Sequence, residues 1–404
     1  MSRYTHHAEQ FNLFDVVAEG HLLHPERLTT RQLYGHVAAT TGLDVHARSA
    51  IGQAQVQRSP VERKVRWIQQ TLKQLGLIAP VAGERGAWRL TASGKAQLSA
   101  APPGQLMVAC STRLGLALWG NHEDVFSRLD VPITLCLTSP PYPLAKARAY
   151  GGPKAEEYVD FVCDALEPIV RNLRAGGSIA LNISNDIFEP KSPARSLYRE
   201  RLAIALYERL GLHKMDELIW ENPSKPPGPT YWSSINRFHL TSTWEPVLWF
   251  TNNPVNVIAD NRRVLVPHKP AQERLIARGG SSRQGHYGDG AYKLRNHSYG
   301  ASTAGAIPRN ILRYQHNCPD KTALAAAATQ LGLPTHGATM PLALADFLVR
   351  YLSAPDDMIV DPFGGWLTTA KAAEQNGRRW IVTERMGEYA LAGIERLRTS
   401  LGFV

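Results

Sequence analysis

The segment that most constrains the fold lies near the end of the chain, at residues 357–384, DMIVDPFGGWLTTAKAAEQNGRRWIVTE. Its pattern is typical of a strand, a glycine turn, a helix and a second strand. Strands that alternate with helices in this way pair in parallel, and a parallel sheet is covered by helices on both faces. The segment therefore predicts an α/β fold.

The chain from about residue 106 onward has the same alternation. Predicted strands include ITLCL, SIALNIS, ELIWENP and EPVLWFT, and predicted helices include EYVDFVCDALEPIVRNL and SLYRERLAIALYERLG. Residues 252–330 interrupt the rhythm, since they have few long apolar runs and many Gly, Arg, His, Asn and Tyr residues. We therefore predict a Rossmann-like sheet with helices on both faces and one irregular region.

The first hundred residues predict a small helical unit that ends in a hairpin. In SPVERKVRWIQQTLKQLG, Ser59 is placed to cap a helix, Pro60 to occupy its first position and Glu62 to close a capping box. Two short strands follow, so the unit is similar to a winged helix, with SAAPPGQ at residues 99–105 as a linker. Basic residues on the helix favour DNA contact; a solvated helix face and a docking site for a partner protein are the alternatives.

The charge and composition of the chain limit the kinds of partner that we expect it to bind. A net charge of +10 over 404 residues favours a polyanion, because clustered Lys and Arg release counterions on meeting phosphates. The four cysteines form no CxxC pair and the fourteen histidines have no HExxH spacing, so neither a metal site nor a disulfide framework is predicted. The start of the chain has no apolar core of a signal peptide, and no stretch is apolar enough to span a bilayer. We expect a cytoplasmic protein with no membrane partner.

The glycine turn in residues 357–384 has the features of a nucleotide-type cofactor site. Asp361 ends the first strand, Gly364 and Gly365 allow close backbone approach, and Glu384 ends the second strand. Glu384 could accept hydrogen bonds from both ribose hydroxyls of an adenosine. The glycines form no GxGxxG and no GKT or GKS follows, which disfavours a dinucleotide and a phosphate-binding loop. A helix cap at Asp361 and a surface acid at Glu384 are the plainer alternatives.

A second motif, TSPPYPL, follows the predicted strand ITLCL. The Ser139 hydroxyl and the Pro140 carbonyl are two acceptors that could bind both hydrogens of an exocyclic amine on a flipped base. Pro140 and Pro141 fix φ and remove N–H donors, so the acceptor is held rigidly. Tyr142 supplies a ring face for the extruded base. An amine needs no covalent nucleophile, and Cys136 lies inside the strand, where packing is its expected role.

Together these motifs resemble the S-adenosylmethionine-dependent DNA amino-methyltransferases, in the beta arrangement, where the catalytic motif precedes the cofactor motif. The resemblance covers roughly residues 110–400 and includes LRAGGSIALNISND, IPRNIL, HGATMP and TERMGEYALAGIERL. It implies that S-adenosyl-L-methionine is the methyl donor and double-stranded DNA the substrate. The residues implied to bind the target base are Ser139, Pro140, Pro141 and Tyr142. Those implied to bind the donor are Asp361, Phe363, Gly364, Gly365 and Glu384.

The resemblance also implies a division of the chain and a product. The divisions are a winged-helix-like domain at 1–105, a catalytic half at 106–251, a target recognition region at 252–330 and a cofactor-binding half at 331–404. SPPY is typical of N4-cytosine enzymes and DPPY or NPPY of N6-adenine enzymes, so site-specific methylation of cytosine N4 is favoured and adenine N6 is the alternative. A cognate restriction endonuclease acting on the same site and a homodimer are the further partners consistent with it.

Two features depart from the family's pattern. Trp366 and Leu367 stand where DPFxGSGTT has a small Ser and Gly. The bulky pair could crowd the methionine portion of the donor or pack outward at the helix start, and only the second preserves ordinary affinity. A DNA-binding regulator with a non-catalytic methyltransferase body is an alternative that rests on this pair. The family's Gly-Asp before the catalytic strand also appears here as Gly120-Asn121.

Further candidate residues follow from position. Asn185 and Asp186 end another strand at the predicted ligand edge, which places them near the donor. His336 precedes the helix start where the family closes over the donor, and a plain capping role is its alternative. The irregular region supplies candidates for contacts with phosphates or guanine edges, with a flexible loop in the free protein as its other interpretation. These candidates are Arg274, Arg278, Arg283, Lys293 and Arg295.

Overall fold

The computed structural model describes residues 13–51, 56–74, 76–92, 94, 100–102, 104–144, 152–288 and 290–404. Its N-terminal part is a helical unit with its own apolar core. Helices α1 (Leu13–Leu23), α2 (Thr30–Thr41) and α3 (Pro60–Gln74) pack with a three-stranded sheet in the order β1-β5-β4. These strands are β1 (Leu28–Thr29), β4 (Ile78–Pro80) and β5 (Ala87–Leu90), and a separate hairpin joins β2 (Ser49–Ile51) to β3 (Val56–Arg58). The winged-helix assignment stays a prediction.

Helix α3 begins where its cap was predicted. The Ser59 hydroxyl accepts a hydrogen bond from the backbone N–H of Glu62 at 3.2 Å. The Glu62 carboxylate, expected to complete a capping box, instead binds His46 at 2.8 Å and Arg66 at 3.2 Å. A tertiary contact has therefore taken the side chain that the local pattern assigned to the helix end.

The rest of the chain is built on a nine-stranded sheet in the order β14-β10-β11-β9-β8-β15-β16-β7-β6. Strands β9, β8, β15, β16 and β7 run parallel, whereas β11 pairs antiparallel with β9 and β10, and β6 pairs antiparallel with β7. The strands are β6 (Leu106–Ser111), β7 (Gly115–Gly120), β8 (Ile133–Thr138), β9 (Leu173–Asn182), β10 (His213–Glu221), β11 (Trp244–Thr251), β14 (Ile311–Arg313), β15 (Met358–Asp361) and β16 (Arg379–Glu384).

Helices cover both faces of this sheet, as predicted. Alternate residues of β15 enter two different cores, with Ile359 on one side and Met358 and Val360 on the other. Helices α5 (Tyr158–Arg171) and α6 (Tyr198–Glu208) complete one core, and α9 (Leu342–Leu352) and α10 (Thr368–Gln375) complete the other. The shorter helices α4 (His122–Phe126) and α11 (Gly387–Ile394) follow β7 and β16. The α/β fold class is confirmed.

Residues 252–330 contain a 3-10 turn at Asn261–Val264, helix α7 (Pro270–Ala277) and a hairpin of β12 (Gly285–Tyr287) and β13 (Tyr292–Leu294). The region also adds β14 to the edge of the large sheet and helix α8 (Pro319–Gln330) to a small core shared with α11. Its boundaries as a target recognition region stay a prediction. Within the described ranges, no helix combines the length and the apolar character needed to cross a membrane.

Candidate active site

A cavity of about 540 Å³ opens at the carboxyl ends of the parallel strands β7, β8, β15 and β16. Both sequence motifs line it, because each follows the carboxyl end of a neighbouring strand. The predicted residues found in its wall are Ser139, Pro140, Pro141, Tyr142, His336, Asp361, Phe363, Gly364, Gly365 and Glu384. The fold therefore brings together two motifs that are more than two hundred positions apart in the chain.

Asp361 holds the glycine turn in place. Its Oδ1 accepts hydrogen bonds from the Thr138 hydroxyl at 2.6 Å and the Phe363 N–H at 3.0 Å, and its Oδ2 accepts one from the Thr369 hydroxyl at 2.7 Å. Burial raises the pKa of Asp361 to about 6, although these hydrogen bonds act in the opposite direction. The carboxylate therefore links β8, β15 and α10 and holds these elements together next to the cavity.

Glu384 ends β16 and is only 8% exposed. Its Oε2 accepts a hydrogen bond from the Gly365 N–H and its Oε1 from the Met386 N–H, each at 2.6 Å. Burial raises the pKa of Glu384 to about 7, and the two backbone hydrogen bonds partly oppose that rise. A carboxylate has about four acceptor positions, so Glu384 can accept further hydrogen bonds beyond these two.

An aromatic wall stands beside the glycine turn. The Phe363 ring lies 5.5 Å from Phe161 and 4.9 Å from His122, measured between ring centroids. Burial lowers the pKa of His122, so its imidazole is neutral near pH 7. Its Nδ1 is buried and has no hydrogen-bond partner among the described residues. This wall can take a flat ring such as adenine.

His336 closes another side of the cavity. Its ring lies 4.5 Å from the Tyr389 ring, and its Nδ1 accepts a hydrogen bond from the Ala338 N–H at 3.2 Å. Gly365 has a φ of +51°, a left-handed conformation that favours glycine, and a Cβ there would be at ordinary contact distance, 3.4 Å from His336 Nε2. His336 thus lines the same cavity as the glycine turn, and its role in binding a cofactor stays a prediction.

The bulky pair in the glycine turn packs into the protein. Trp366 is 1% exposed and enters a small core with Leu324 of α8 and Met386. Leu367 is equally buried and adopts a left-handed conformation with φ of +54°, where the family's pattern has glycine. Gly393 of α11 makes room for it, since a Cβ there would lie 2.6 Å from Leu367 Cγ. The pair is thus buried in neighbouring cores, and Trp366 also lines the cavity, so the packing that preserves ordinary donor affinity stays a prediction.

The SPPY corner is tied to a network of charged side chains. Ser139 Oγ lies 3.2 Å from Tyr142 Oη, and the Tyr142 hydroxyl donates to Glu245 Oε2 at 3.1 Å. Lys225 Nζ lies 3.5 Å from Glu245 Oε1 and 2.7 Å from Asp186 Oδ2. The corner thus continues away from the cavity as a line of hydrogen bonds and ion pairs.

Asn185 and Asp186 lie at this network and do not appear in the wall of the cavity. Arg195 Nη1 binds the Asn185 carbonyl and lies 3.1 Å from Asp186 Oδ1. For Asp186, burial acts to raise the pKa, but the hydrogen bonds and charges of Lys225 and Arg195 outweigh it, and the pKa is lowered. The contacts that Asn185 and Asp186 make in the structure are with other residues of the protein, and their contact with a cofactor stays a prediction.

Several residues of the site were not identified from the sequence: His122, Phe161, Lys225 and Glu245. His122 follows the Gly120-Asn121 pair directly, and Glu245 is the second residue of β11. The only feature of the sequence that could have indicated Glu245 is a charged residue next to a strand predicted to be buried. Nothing in the local pattern connects it with Tyr142, because the pairing depends on the order of strands in the sheet.

The basic candidates of residues 252–330 are all exposed. Arg274 lies in α7, Arg278 and Arg283 follow it, Lys293 lies in β13 and Arg295 comes just after. None of the five forms an ion pair with another described residue. They are therefore available to an anionic partner, and the structure does not assign one to them.

The chain is similar in sequence and in fold to several known proteins. The model of a DNA methylase family, N6_N4_Mtase, matches residues 133–395. The type II methyltransferase M.PvuII of Proteus hauseri is 29% identical over 267 residues, which are 66% of this chain and 78% of that protein. The orphan methyltransferase M.BamHII of Bacillus amyloliquefaciens is 28% identical over 273 residues, 67% of this chain and 90% of that one. The solved PvuII DNA methyltransferase, described as cytosine-N4-specific, superposes with a TM-score of 0.56 at 25% identity, covering 72% of this chain and 88% of its own.

Proposed function

Because this chain belongs to the N6/N4 family of DNA methylases, we propose that it methylates the N4 amine of a cytosine at a specific site in double-stranded DNA. Membership confirms the resemblance drawn from the sequence. The chain is thus a DNA methyltransferase, and S-adenosylmethionine is the methyl donor of its family. Two observations support cytosine N4 as the finer product: the SPPY motif at residues 139–142, and the similarity to M.PvuII, whose solved structure is described as cytosine-N4-specific.

The cavity suits S-adenosylmethionine in size and chemistry. Its volume of about 540 Å³ falls inside the range of about 300–1,000 Å³ typical of small-molecule pockets. Phe363 offers an apolar face to an adenine ring, and Glu384 has acceptor positions for the ribose hydroxyls. When bound, S-adenosylmethionine supplies a methyl group activated by a positively charged sulfur. Asp361 would act indirectly, since its oxygens already hold Thr138, Phe363 and Thr369.

The corner at residues 139–142 would hold the target base. The exocyclic nitrogen of cytosine is a weak nucleophile because its lone pair is delocalised into the ring. Acceptors at the Ser139 hydroxyl and the Pro140 carbonyl would draw both N–H bonds toward the protein and favour a tetrahedral nitrogen. The Tyr142 ring would repay part of the few kcal/mol that extruding a base costs.

The observation that carries the proposal is the shared cavity, because the residues proposed to bind an amine and those proposed to bind a nucleoside-type donor line the same space. The alternative of a non-catalytic body rested on Trp366 and Leu367. Both side chains are buried in neighbouring cores, and although Trp366 also lines the cavity, this burial supports a cavity that can hold a donor.

Duplex DNA would lie against the basic surface. We propose that residues 252–330 recognise the target sequence through Arg274, Arg278, Arg283, Lys293 and Arg295, and that the unit at residues 1–105 is a second, winged-helix-like domain. A bidentate contact from one arginine to guanine would supply about 1–3 kcal/mol of discrimination. A cognate restriction endonuclease and a homodimer are further predictions of the same assignment.

The test is the chemical identity of the product. Unmethylated DNA is incubated with the purified protein and S-adenosylmethionine, digested to nucleosides and analysed by mass spectrometry. N4-methylcytosine is the expected product. N6-methyladenine would replace the cytosine assignment, and donor binding without any methylated nucleoside would support the non-catalytic alternative.

A further inference from the structure

The Ser139 hydroxyl is the first member of a hydrogen-bond chain that leads away from the cavity. Ser139 Oγ lies 3.2 Å from Tyr142 Oη, which in turn lies 3.1 Å from Glu245 Oε2. Ser139 and Tyr142 line the cavity, whereas Glu245 stands behind them at the start of β11 and is not part of the wall. Glu245 can therefore affect the cavity only through other residues.

When Glu245 is ionised, only one assignment of donors and acceptors is possible along this hydrogen-bond chain. A carboxylate can only accept hydrogen bonds, so the hydrogen between Tyr142 and Glu245 belongs to the tyrosine. A phenol has one hydrogen, so Tyr142 must accept in its contact with Ser139. The Ser139 hydrogen is then directed inward, and the oxygen presents only lone pairs to the cavity.

A target amine requires this polarity. An exocyclic amino group brings two N–H donors and a delocalised lone pair, so it binds to acceptors and is repelled by a donor. If Tyr142 were free to direct its hydrogen toward Ser139, the serine could direct its own hydrogen toward the amine. Two donors would then face each other in a partly buried corner, and each unmade hydrogen bond there costs about 1–3 kcal/mol.

Lys225 favours the ionised, accepting form of the Glu245 carboxylate. Burial raises the pKa of Glu245, and the charge of Lys225, whose Nζ lies 3.5 Å from Glu245 Oε1, and the hydrogen bond from Tyr142 oppose that rise without cancelling it. Lys225 also binds Asp186 at 2.7 Å, and Asp186 pairs with Arg195 at 3.1 Å. Two cations and two carboxylates thus form a balanced cluster, so neither the lysine nor the glutamate is left as an isolated charge in a partly buried site.

We propose that Glu245 is a positioning residue that fixes the Ser139 hydroxyl as a hydrogen-bond acceptor for the target amine, acting through Tyr142. The inference rests on the proposed transfer to an exocyclic amine. It holds for cytosine N4 and adenine N6 alike, so a change in the assigned base leaves it intact.

The test is a double-mutant cycle on the single-turnover rate, measured with saturating donor and DNA. Glu245→Met removes the acceptor at similar volume, and Tyr142→Phe removes the hydroxyl but keeps the ring. Each change is expected to lower the rate about 10- to 100-fold, the effect of one misdirected buried hydrogen bond. Because both break the same chain, the double variant should be within about threefold of Tyr142→Phe alone.

Two further variants separate this role from general damage. Glu245→Gln keeps a neutral acceptor and should recover part of the rate; it also replaces Glu245→Met in the cycle if that variant does not fold. Glu221→Gln is the control: it removes a carboxylate at the end of β10 that pairs with Arg313 at 3.0 Å and takes no part in the hydrogen-bond chain of Ser139, Tyr142 and Glu245. This variant should keep the wild-type rate. Donor affinity, measured by calorimetry, should be unchanged in all of them.

Three outcomes overturn the inference: a wild-type rate for Glu245→Met, losses that multiply in the double variant, or a loss of donor affinity that parallels the loss of rate. Absence of any methylated product from the wild-type protein is a different failure, because it overturns the proposed function and this inference with it. Methylated adenine from an active wild type changes the proposed base and leaves the cycle to decide the role of Glu245.

Discussion

Donor affinity should depend on pH through Glu384. In the ligand-free protein, burial raises the pKa of this carboxyl to about 7, so about half of the molecules carry a proton there at pH 7. Ribose hydroxyls would donate hydrogen bonds to the carboxylate, which favours its ionised form. Binding then releases a proton, and linkage requires the affinity to increase as pH increases through 7.

The size of the effect follows from the value of the pKa. If the bound carboxylate stays ionised, the dissociation constant is multiplied by one plus the ratio of protonated to ionised Glu384 in the free protein. That factor is about 1.1 at pH 8, about 2 at pH 7 and about 11 at pH 6. Affinity should therefore fall about tenfold from pH 8 to pH 6, or about 1.4 kcal/mol. Asp361 should add little, because its oxygens bind protein groups and not the ligand.

The assay is titration calorimetry of S-adenosylmethionine at pH 6, 7 and 8, in two buffers that differ in ionisation enthalpy. Glu384→Gln should bind more weakly and should lose the dependence that belongs to Glu384. The amino group of S-adenosylmethionine itself titrates near pH 8, and the pH dependence of binding to Glu384→Gln measures that contribution alone. The curve for this variant is therefore the reference for the wild-type curve. Glu221→Gln should keep the wild-type profile. Equal wild-type affinity at pH 6 and pH 8, after that correction, would refute the assignment of Glu384 to the donor.

Three further predictions concern the glycine turn and the basic surface. Trp366→Phe should lower the free energy of unfolding by about 1–3 kcal/mol in urea, because a smaller ring leaves a void in the core while the indole N–H has no partner to lose among the described residues, and it should leave donor affinity within about twofold; an unchanged stability would mean that neighbouring side chains fill the void. Gly393→Ala should cost about 1–3 kcal/mol in thermal unfolding, since its Cβ would lie 2.6 Å from Leu367 Cγ; an unchanged stability would mean that the turn adjusts freely. Replacing Lys293 or Arg295 by Ala should lower the slope of log affinity for DNA against log salt by about 1 each; an unaltered slope would exclude that residue from phosphate contact.

The meeting of the two motifs could be predicted from the sequence for a physical reason. Parallel strands carry their carboxyl ends to one edge, so SPPY after β8 and DPF after β15 had to open toward the same side. The register between β8 and β15, with Leu135 opposite Ile359, brings the two strand ends together. The position of Glu384 at the same edge could be predicted for the same reason, because β16 ends in Glu384 and lies parallel to β15.

Other parts of the site depended on contacts that a local pattern does not specify. Glu245 reaches Tyr142 because β11 inserts antiparallel between β9 and β10, an order that spacing along the chain does not fix. The packing of Leu367 depends on the absence of a side chain at Gly393, on a helix that follows the next strand. Glu62 was assigned to a capping box and binds His46 instead, since a tertiary partner was available.

The most direct test of the account is the Ser139→Ala variant, with donor binding and single-turnover methylation measured on the same preparation. We predict that the donor dissociation constant stays within about twofold of wild type while the rate falls by about 100-fold or more, the usual effect of removing one hydrogen-bonding group that acts at the reacting atom. Methylation at the wild-type rate would remove Ser139 from the reaction and contradict the assignment of this corner to the target amine.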